Sequence, residues 1–156
     1  MRRAVIAIAA ALLLAMSLLL LVSSPPAGAS TAPVPRRITA YNWAVTQRGA
    51  PYSWGGTGPY WSGYDCSGLA VASYRRVRIY LPRTTYGMIA AIRTGLLIPE
   101  RYPRKGDLAF YGSGHVELYD TGHTTFGALE PGIPLGWHAW GGWWAPTLFL
   151  RVRGAG

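Results

Sequence analysis

The stretch YDCSGLAVASYRRVRI, residues 64–79, holds the only cysteine of the 156-residue chain, Cys66. Its small and apolar residues recur at helical spacing and its arginines fall on the opposite side, which predicts a helix over residues 66–79. Asp65 stands at the N-cap position, where a carboxylate can accept hydrogen bonds from the free amides of the first turn. The pattern therefore places a thiol at the N-terminus of an amphipathic helix.

A thiol in this position is suited to nucleophilic chemistry. Cysteine attacks as the thiolate, and a helix N-terminus or a neighbouring imidazolium lowers its ordinary pKa of about 8.5. His115 follows 49 residues later, and the alternation of Val116 and Leu118 predicts that it begins a strand. Cys66 and His115 are the predicted nucleophile and general base. The alternative is a buried structural cysteine and a surface histidine.

The order of the other elements predicts an α+β domain. Helices are predicted first, at residues 38–47, 66–79 and 84–93, with a glycine-rich loop between the first two. Strands are predicted after them, at residues 107–111, 115–120, 124–128 and 147–152. Helices followed by strands form an α+β domain with one sheet, so we expect the helix that carries the thiol to pack on an antiparallel sheet.

The N-terminal segment predicts a secretory signal peptide. Two arginines precede an apolar stretch at residues 4–22, and Ala-Gly-Ala at 27–29 suits cleavage. The expected organisation is a signal peptide at 1–29, a linker at 30–37 and one domain at 38–156. The alternative is an uncleaved membrane anchor, since about 19 apolar residues can span a bilayer; membrane contact is expected in that case alone. Either way, the domain is expected to be secreted or at the cell wall.

Charge and composition indicate the partners. The first 29 residues hold two arginines and no acid, so the rest keeps 13 basic and 6 acidic side chains, a net charge of +7. Outside a cell, a basic domain is drawn to anionic wall polymers or anionic lipids. No basic-aromatic repeat suggests nucleic-acid binding, and His115, His123 and His138 lack metal-ligand spacing. The single cysteine excludes an internal disulfide. We expect a monomer without cofactor, metal or nucleic acid.

Five short motifs occur in order along the chain. They are YSWGG at 52–56, DCSGL at 65–69, LPRTT at 81–85, GDL at 106–108 and GHV at 114–116. Together they resemble the NlpC family of bacterial cell-wall cysteine peptidases, over about residues 38–128. The resemblance implies a compact papain-like α+β fold. It also implies hydrolysis of peptidoglycan stem peptides, commonly between D-glutamate and a diamino acid.

The same resemblance implies roles for particular residues. Cys66 becomes the nucleophile and His115 the base. Tyr52 is implied to hold the oxyanion or the substrate carbonyl, with the backbone amide of Cys66 as the second donor. Asp65 and Ser67 fall where the family binds the amino end of the substrate. Their alternative roles are helix capping and a hydroxyl in the first turn.

The chain departs from the family at Gly127. The family carries a polar residue about twelve positions after the base, on the next strand, which orients the imidazole. The substitutes are Glu117, His123, Glu130, and a water or backbone carbonyl. We favour Glu117, because it lies two residues from His115 on the same strand face, where the family usually has a small residue. The alternative is that Glu117 lines the groove and determines specificity.

Two other functions remain open at this point. One is an inactive wall-binding module, because the third residue is missing; the other is a related wall amidase or toxin. The presence of Cys66 and His115 favours an enzyme. The aromatic stretch at 132–152 is expected to cover the sheet and line one wall of the cleft, with a glycan-stacking or membrane-edge surface as the alternative. Arg83 and Thr84 are expected to fix the start of the third helix.

Overall fold

Three helices precede six strands in the computed structural model, which describes residues 32–156. The predicted signal peptide lies outside the described residues. The helices are α1 at Arg36–Val45, α2 at Cys66–Arg75 and α3 at Thr85–Ala90. The strands are β1 at Leu97–Pro99, β2 at Leu108–Tyr111, β3 at His115–Thr121, β4 at Thr124–Gly127, β5 at Gly136–Ala139 and β6 at Leu148–Val152. The predicted order of helices followed by strands is confirmed.

The strands of residues 32–156 form one antiparallel sheet in the order β1-β6-β2-β3-β4-β5. β2 to β5 are consecutive neighbours, whereas β6 returns to pair with the other edge of β2. The register sets Ala109 opposite Glu117, and Thr125 opposite His138. Side chains from β3, β4 and β5 therefore meet on one face of the sheet.

Alternation along the central strands separates an apolar face from a polar one. The apolar residues are completely buried and join the core that holds α1 and α2; they are Leu108, Phe110, Val116, Leu118 and Phe126. Burial of one such side chain stabilises the fold by about 1.5–3 kcal/mol. The opposite face buries the polar side chains of Tyr111, Glu117 and Thr125. The helices α1 and α2 therefore pack on the apolar face of the sheet. The buried polar side chains lie on the opposite face.

Helix α2 ends at Arg75, before the predicted end at residue 79. Arg78 has a φ of 59°, and the amides of Arg78 and Ile79 donate to the carbonyls of Arg75 and Tyr74. This pair of bonds is the Schellman arrangement that closes a helix, in which glycine usually takes the left-handed position. Because an arginine occupies it here, the sequence held no stop signal.

Other elements also differ from the sequence prediction. Helix α1 begins at Arg36, two residues before the expected domain start, and the amide of Arg37 donates to the carbonyl of Ala155. Strands β1 and β5 were not predicted, since they have only three and four residues and lie beside prolines and glycines.

No helix within residues 32–156 has the length and hydropathy needed to cross a membrane.

Candidate active site

The first turn of α2 is fixed by Asp65. Its carboxylate accepts hydrogen bonds from the amide of Gly68 at 2.6 Å and from the amide of Gly55 at 2.9 Å. The predicted helix cap is therefore confirmed, and the same side chain also ties the glycine-rich loop to the helix. Cys66, half-buried, follows directly in the first turn.

Arg83 joins this first turn from the loop before α3. Its guanidinium lies 2.7 Å from the carboxylate of Asp65 and 2.9 Å from the hydroxyl of Ser67. Arg83 was expected to fix the start of the third helix; its two terminal nitrogens bond to the N-cap and first turn of α2, and so tie the loop before α3 to that helix. Thr84 does have the expected role, since its hydroxyl accepts from the amide of Gly87 and caps α3.

Strand β3 begins at His115 and brings the imidazole against Cys66 and Glu117. Burial lowers the pKa of His115, but its contacts with the sulfur of Cys66 and the carboxylate of Glu117 raise it more, to about 9. The Nε2 atom lies 3.5 Å from Oε1 of Glu117, a charge contact longer than a good hydrogen bond. Because Nε2 faces the carboxylate, Nδ1 is the nitrogen left for the thiol. At neutral pH this imidazole is an imidazolium.

Glu117 is a buried carboxylate that is hydrogen-bonded to two side chains and faces a third. Its side chain is completely inaccessible to solvent, and Thr125 donates to Oε2 at 2.5 Å. Nδ1 of His138 lies 2.7 Å from Oε1, the same oxygen that faces His115. Burial raises the pKa of Glu117, but the contacts with His115, His138 and Thr125 offset it, so the pKa is below its ordinary value. Glu117 is therefore ionised at neutral pH.

Gly127 makes room for this carboxylate. A Cβ atom added at Gly127 would lie 2.6 Å from both Cγ and Oε1 of Glu117. Real Cβ atoms do not approach other atoms so closely, so any larger residue would displace the glutamate. The Glu117 side chain on β3 thus occupies the space where the family carries a polar side chain on β4. Glu117 can take this position only because residue 127 is a glycine.

The other candidate orienting residues lie elsewhere. His123 is exposed in the turn between β3 and β4, and its ring packs on Trp140 with the centroids 4.5 Å apart. Glu130 is exposed beyond β4. Of the three side chains proposed from the sequence, Glu117 is the one that contacts His115 in the part of the chain that the structure describes.

His138 is the site residue that sequence reasoning missed. It lies on β5, a strand of four residues that also carries the partly exposed Trp137. The available signal was the alternation Gly136-Trp137-His138-Ala139, which points Trp137 and His138 to opposite faces. Without the register of β4 and β5, that alternation does not show which strand lies next to it.

An open cleft of about 570 Å³ runs along the exposed side of Cys66. The residues that line it together with Cys66 include Tyr52, Asp65, Ser67, Thr85, Tyr86 and Gly114. Burial raises the pKa of Tyr52, and the neighbouring Cys66 and Asp65 raise it further. The phenol therefore stays protonated near neutral pH and can donate a hydrogen bond into the cleft.

The aromatic stretch at 132–152 mostly covers the sheet, as expected. Trp137 packs on Phe126 and donates to the hydroxyl of Tyr41. Trp144 stacks on Tyr111 with the ring centroids 4.5 Å apart and lies 5.9 Å from His115, beside the candidate site. Trp143 differs, because it is 95% exposed.

A cysteine at a helix N-terminus, facing a histidine on an antiparallel sheet, defines a papain-like cysteine peptidase domain. The family model described as NlpC/P60 matches residues 49–146, and the chain belongs to this family. The solved NlpC/p60 domain of the peptidoglycan hydrolase SagA superposes with a TM-score of 0.63 at 28% identity, covering 74% of this chain and 98% of that one. The predicted papain-like α+β fold and the resemblance are both confirmed.

Curated relatives share the domain and extend beyond it. A probable endopeptidase of Corynebacterium glutamicum is 38% identical over 98 residues, which are 62% of this chain and 44% of the relative. The peptidoglycan endopeptidase RipB of Mycobacterium tuberculosis is 34% identical over 110 residues, with 59% and 44% covered. The chain therefore spans less than half the length of these relatives.

Proposed function

We propose that the domain is a secreted cysteine peptidase that hydrolyses peptidoglycan stem peptides between D-glutamate and a diamino acid. The observation that carries the proposal is the placement of His115 at the start of β3, with its Nε2 3.5 Å from Glu117, beside Cys66, which lines an open cleft. The names of the relatives, endopeptidase and peptidoglycan endopeptidase, support the substrate class. The choice of bond rests on the five motifs that resemble the NlpC family.

The proposed reaction begins with the Cys66 thiolate beside the protonated His115. The sulfur forms a bond to the scissile carbonyl carbon, and the carbonyl electron pair moves to the oxygen. When the tetrahedral intermediate collapses, the carbon–nitrogen bond breaks and His115 gives its proton to the leaving nitrogen. Water then loses a proton to His115 and its oxygen attacks the thioester carbon. Release of the acid restores the thiolate and the imidazolium.

Tyr52 and the backbone amide of Cys66 are the proposed donors to the developing oxyanion. The phenol lines the cleft beside the thiol, and its raised pKa keeps its proton available. Donors preorganised for an oxyanion act where charge develops, and loss of one donor costs about 10²–10³ in rate. Asp65 and Ser67 line the same cleft, and we assign them to the amino end of the substrate, with Arg83 holding both in place.

Glu117 is the proposed orienting residue. Its Oε1 faces Nε2 of His115, which directs the other nitrogen to the thiol, and its charge stabilises the imidazolium that forms the pair. The alternative of a specificity residue needs access to substrate, whereas the Glu117 side chain is completely buried. The inactive wall-binding module was suggested by the missing third residue. The carboxylate beside His115 removes that reason.

Digestion of purified sacculi tests the proposal. Wild type and Cys66→Ala are incubated with sacculi, and released fragments are identified by mass spectrometry. We expect wild type to release peptides that begin with the diamino acid, and the variant to release none. Binding to sacculi without release would instead identify a binding module, and glycan strands freed of whole stem peptides would identify an amidase. A circular dichroism spectrum of Cys66→Ala shows that the variant is folded.

Secretion is part of the same proposal. The apolar stretch at residues 4–22 behind two arginines, and the net charge of +7 of the remainder, support export and attraction to anionic wall polymers. Mass determination of the protein from culture medium tests the cleavage. A mature chain that begins near residue 30 is expected, and a chain that keeps residue 1 in the membrane fraction would indicate an anchor.

A further inference from the structure

His138 is a partly buried histidine that the proposed reaction does not use. Its side chain is 13% exposed, and its Nδ1 lies 2.7 Å from Oε1 of Glu117. An ionised carboxylate only accepts hydrogen bonds, so Nδ1 is the donor. The residue lies on β5, and it reaches Glu117 on β3 across the intervening strand β4. A second imidazole is therefore aimed at the oxygen that faces His115.

The two oxygens of Glu117 are held differently. Oε2 accepts from Thr125 at 2.5 Å, and the hydroxyl of Thr125 lies 2.9 Å from that of Tyr111. Burial raises the pKa of Tyr111 to about 12, so its proton stays in place and it can donate to Thr125. Oε1 has His138 at 2.7 Å and His115 at 3.5 Å. Of the contacts on Oε1, the one with His138 is the shorter.

The short contact decides where Oε1 lies. A buried carboxylate without donors is costly, and removal of one partner of a buried ion pair leaves the other charge uncompensated. The carboxylate fills the space that a Cβ atom at Gly127 would occupy, and its hydrogen-bond partners hold it there. Thr125 holds Oε2 of Glu117, and His138 holds Oε1, so that the carboxylate cannot rotate about the bond to Thr125. Without His138, the carboxylate is free to turn away from His115 or to take up a proton.

We propose that His138 is a positioning residue, whose Nδ1–H holds Oε1 of Glu117 against His115 and so maintains the thiolate–imidazolium pair at Cys66. The proposal rests on the proposed function for the roles of Cys66 and His115. The titratable groups around Glu117 are the two histidines, Tyr111 through Thr125, and Cys66 beyond His115. Among them, His138 is the closest to the carboxylate.

Two substitutions separate the donor from the rest of the side chain. His138→Asn places an amide N–H near the position of Nδ1, and so keeps the donor in a shorter side chain. His138→Leu keeps the bulk and removes the donor. If His138→Leu does not fold, His138→Gln serves instead, because its amide reaches the position of Nε2 and misses Glu117. Thermal unfolding of each variant establishes that it is folded.

Alkylation of Cys66 by iodoacetamide, followed between pH 5 and pH 9 on the full chain, is the test. The reaction consumes the thiolate and needs no peptidoglycan. At pH 6 we expect the rate of His138→Leu to fall about tenfold, the low end of the effect that supporting hydrogen bonds have on metal-bound histidines. His138→Asn is expected to stay within about twofold of wild type. A purely structural role would not be rescued by asparagine.

Either of two results would overturn the proposal. One is an unchanged alkylation profile in His138→Leu; the other is an equal loss in His138→Asn, which would assign the effect to charge or packing. The same variants are then tested on sacculi. Altered alkylation without digestion by wild type would keep the positioning role and remove the proposed substrate. Digestion by wild type with unaltered alkylation in the variants would keep the proposed substrate and remove the positioning role of His138.

Discussion

Glu117 carries a full charge at a position from which water is excluded. Its desolvation is offset by His115, His138 and Thr125, and in return its charge contributes to raising the pKa of His115 to about 9. The sign of this shift determines its consequence. A raised pKa keeps the imidazolium present through neutral pH, and the imidazolium is lost as the pH rises through about 9. An ordinary histidine would lose it near pH 6.5.

Glu117→Gln is predicted to move the alkaline limit of activity downward. Because an amide has no charge, the pKa of His115 falls from about 9, and a full return to 6.5 would reduce the imidazolium fraction at pH 8 about 30-fold. At pH 6 the same change reduces that fraction less than about twofold. The measurement is kcat/KM for sacculus hydrolysis between pH 5.5 and 9.5. Glu130→Gln, at an exposed glutamate, is the control, and a variant profile that matches wild type would remove Glu117 from the mechanism.

The contact between Glu117 on β3 and His138 on β5 was the part of the site that was hardest to predict from the sequence. Helix α2 and strand β3 were predictable because each has a local pattern, an N-cap before an apolar stripe and an alternation after a glycine turn. The contact of Glu117 with His138 depends instead on the register of β4 and β5, between residues 21 positions apart. The glutamate could be favoured from its strand face, but neither its burial nor its second histidine was visible.

Gly127→Ala is predicted to act on Glu117 from across the strand pair. The added Cβ would lie 2.6 Å from Cγ and Oε1 of Glu117, so the carboxylate must move away from His115. We expect a fall in kcat/KM at pH 8 similar to that of Glu117→Gln, and a destabilisation of about 1–3 kcal/mol from overpacking. Activity assays and thermal unfolding measure the two effects.

Gly136→Ala is the matched control for this prediction. Gly136 pairs with Gly127 in the sheet, and an added Cβ would meet only a carbonyl oxygen of Pro134, at 3.7 Å. We expect its activity to equal that of wild type. If Gly127→Ala also kept full activity while remaining folded, the space beside Gly127 would have no bearing on catalysis.

At the scale of the whole molecule, ion pairing leaves most of the positive charge on arginines without an acidic partner. Of the six acidic side chains in residues 32–156, five are in ion pairs with basic or histidine side chains, and Glu130 is the exception. These pairs engage Arg83, Lys105 and Arg151. The other ten arginines of the described residues have no carboxylate within 4 Å. The sequence predicted the charge, but only the fold shows that most acids are already neutralised.

Adsorption to anionic wall polymers is therefore predicted to weaken strongly with salt. Exposed charges are screened beyond about 10 Å at 0.1 M salt and beyond about 3 Å at 1 M. Cys66→Ala, which leaves the wall intact, is sedimented with sacculi from 0.05 to 1 M NaCl. We expect the bound fraction to fall across this range, and to fall at lower salt when Arg75, Arg76 and Arg78, exposed at the end of α2, are changed to glutamine.

Trp143→Ala removes the most exposed tryptophan and should leave the curve unchanged. Salt-independent binding that is lost in Trp143→Ala would instead assign wall attachment to the aromatic surface, since stacking on glycans does not depend on screened charge.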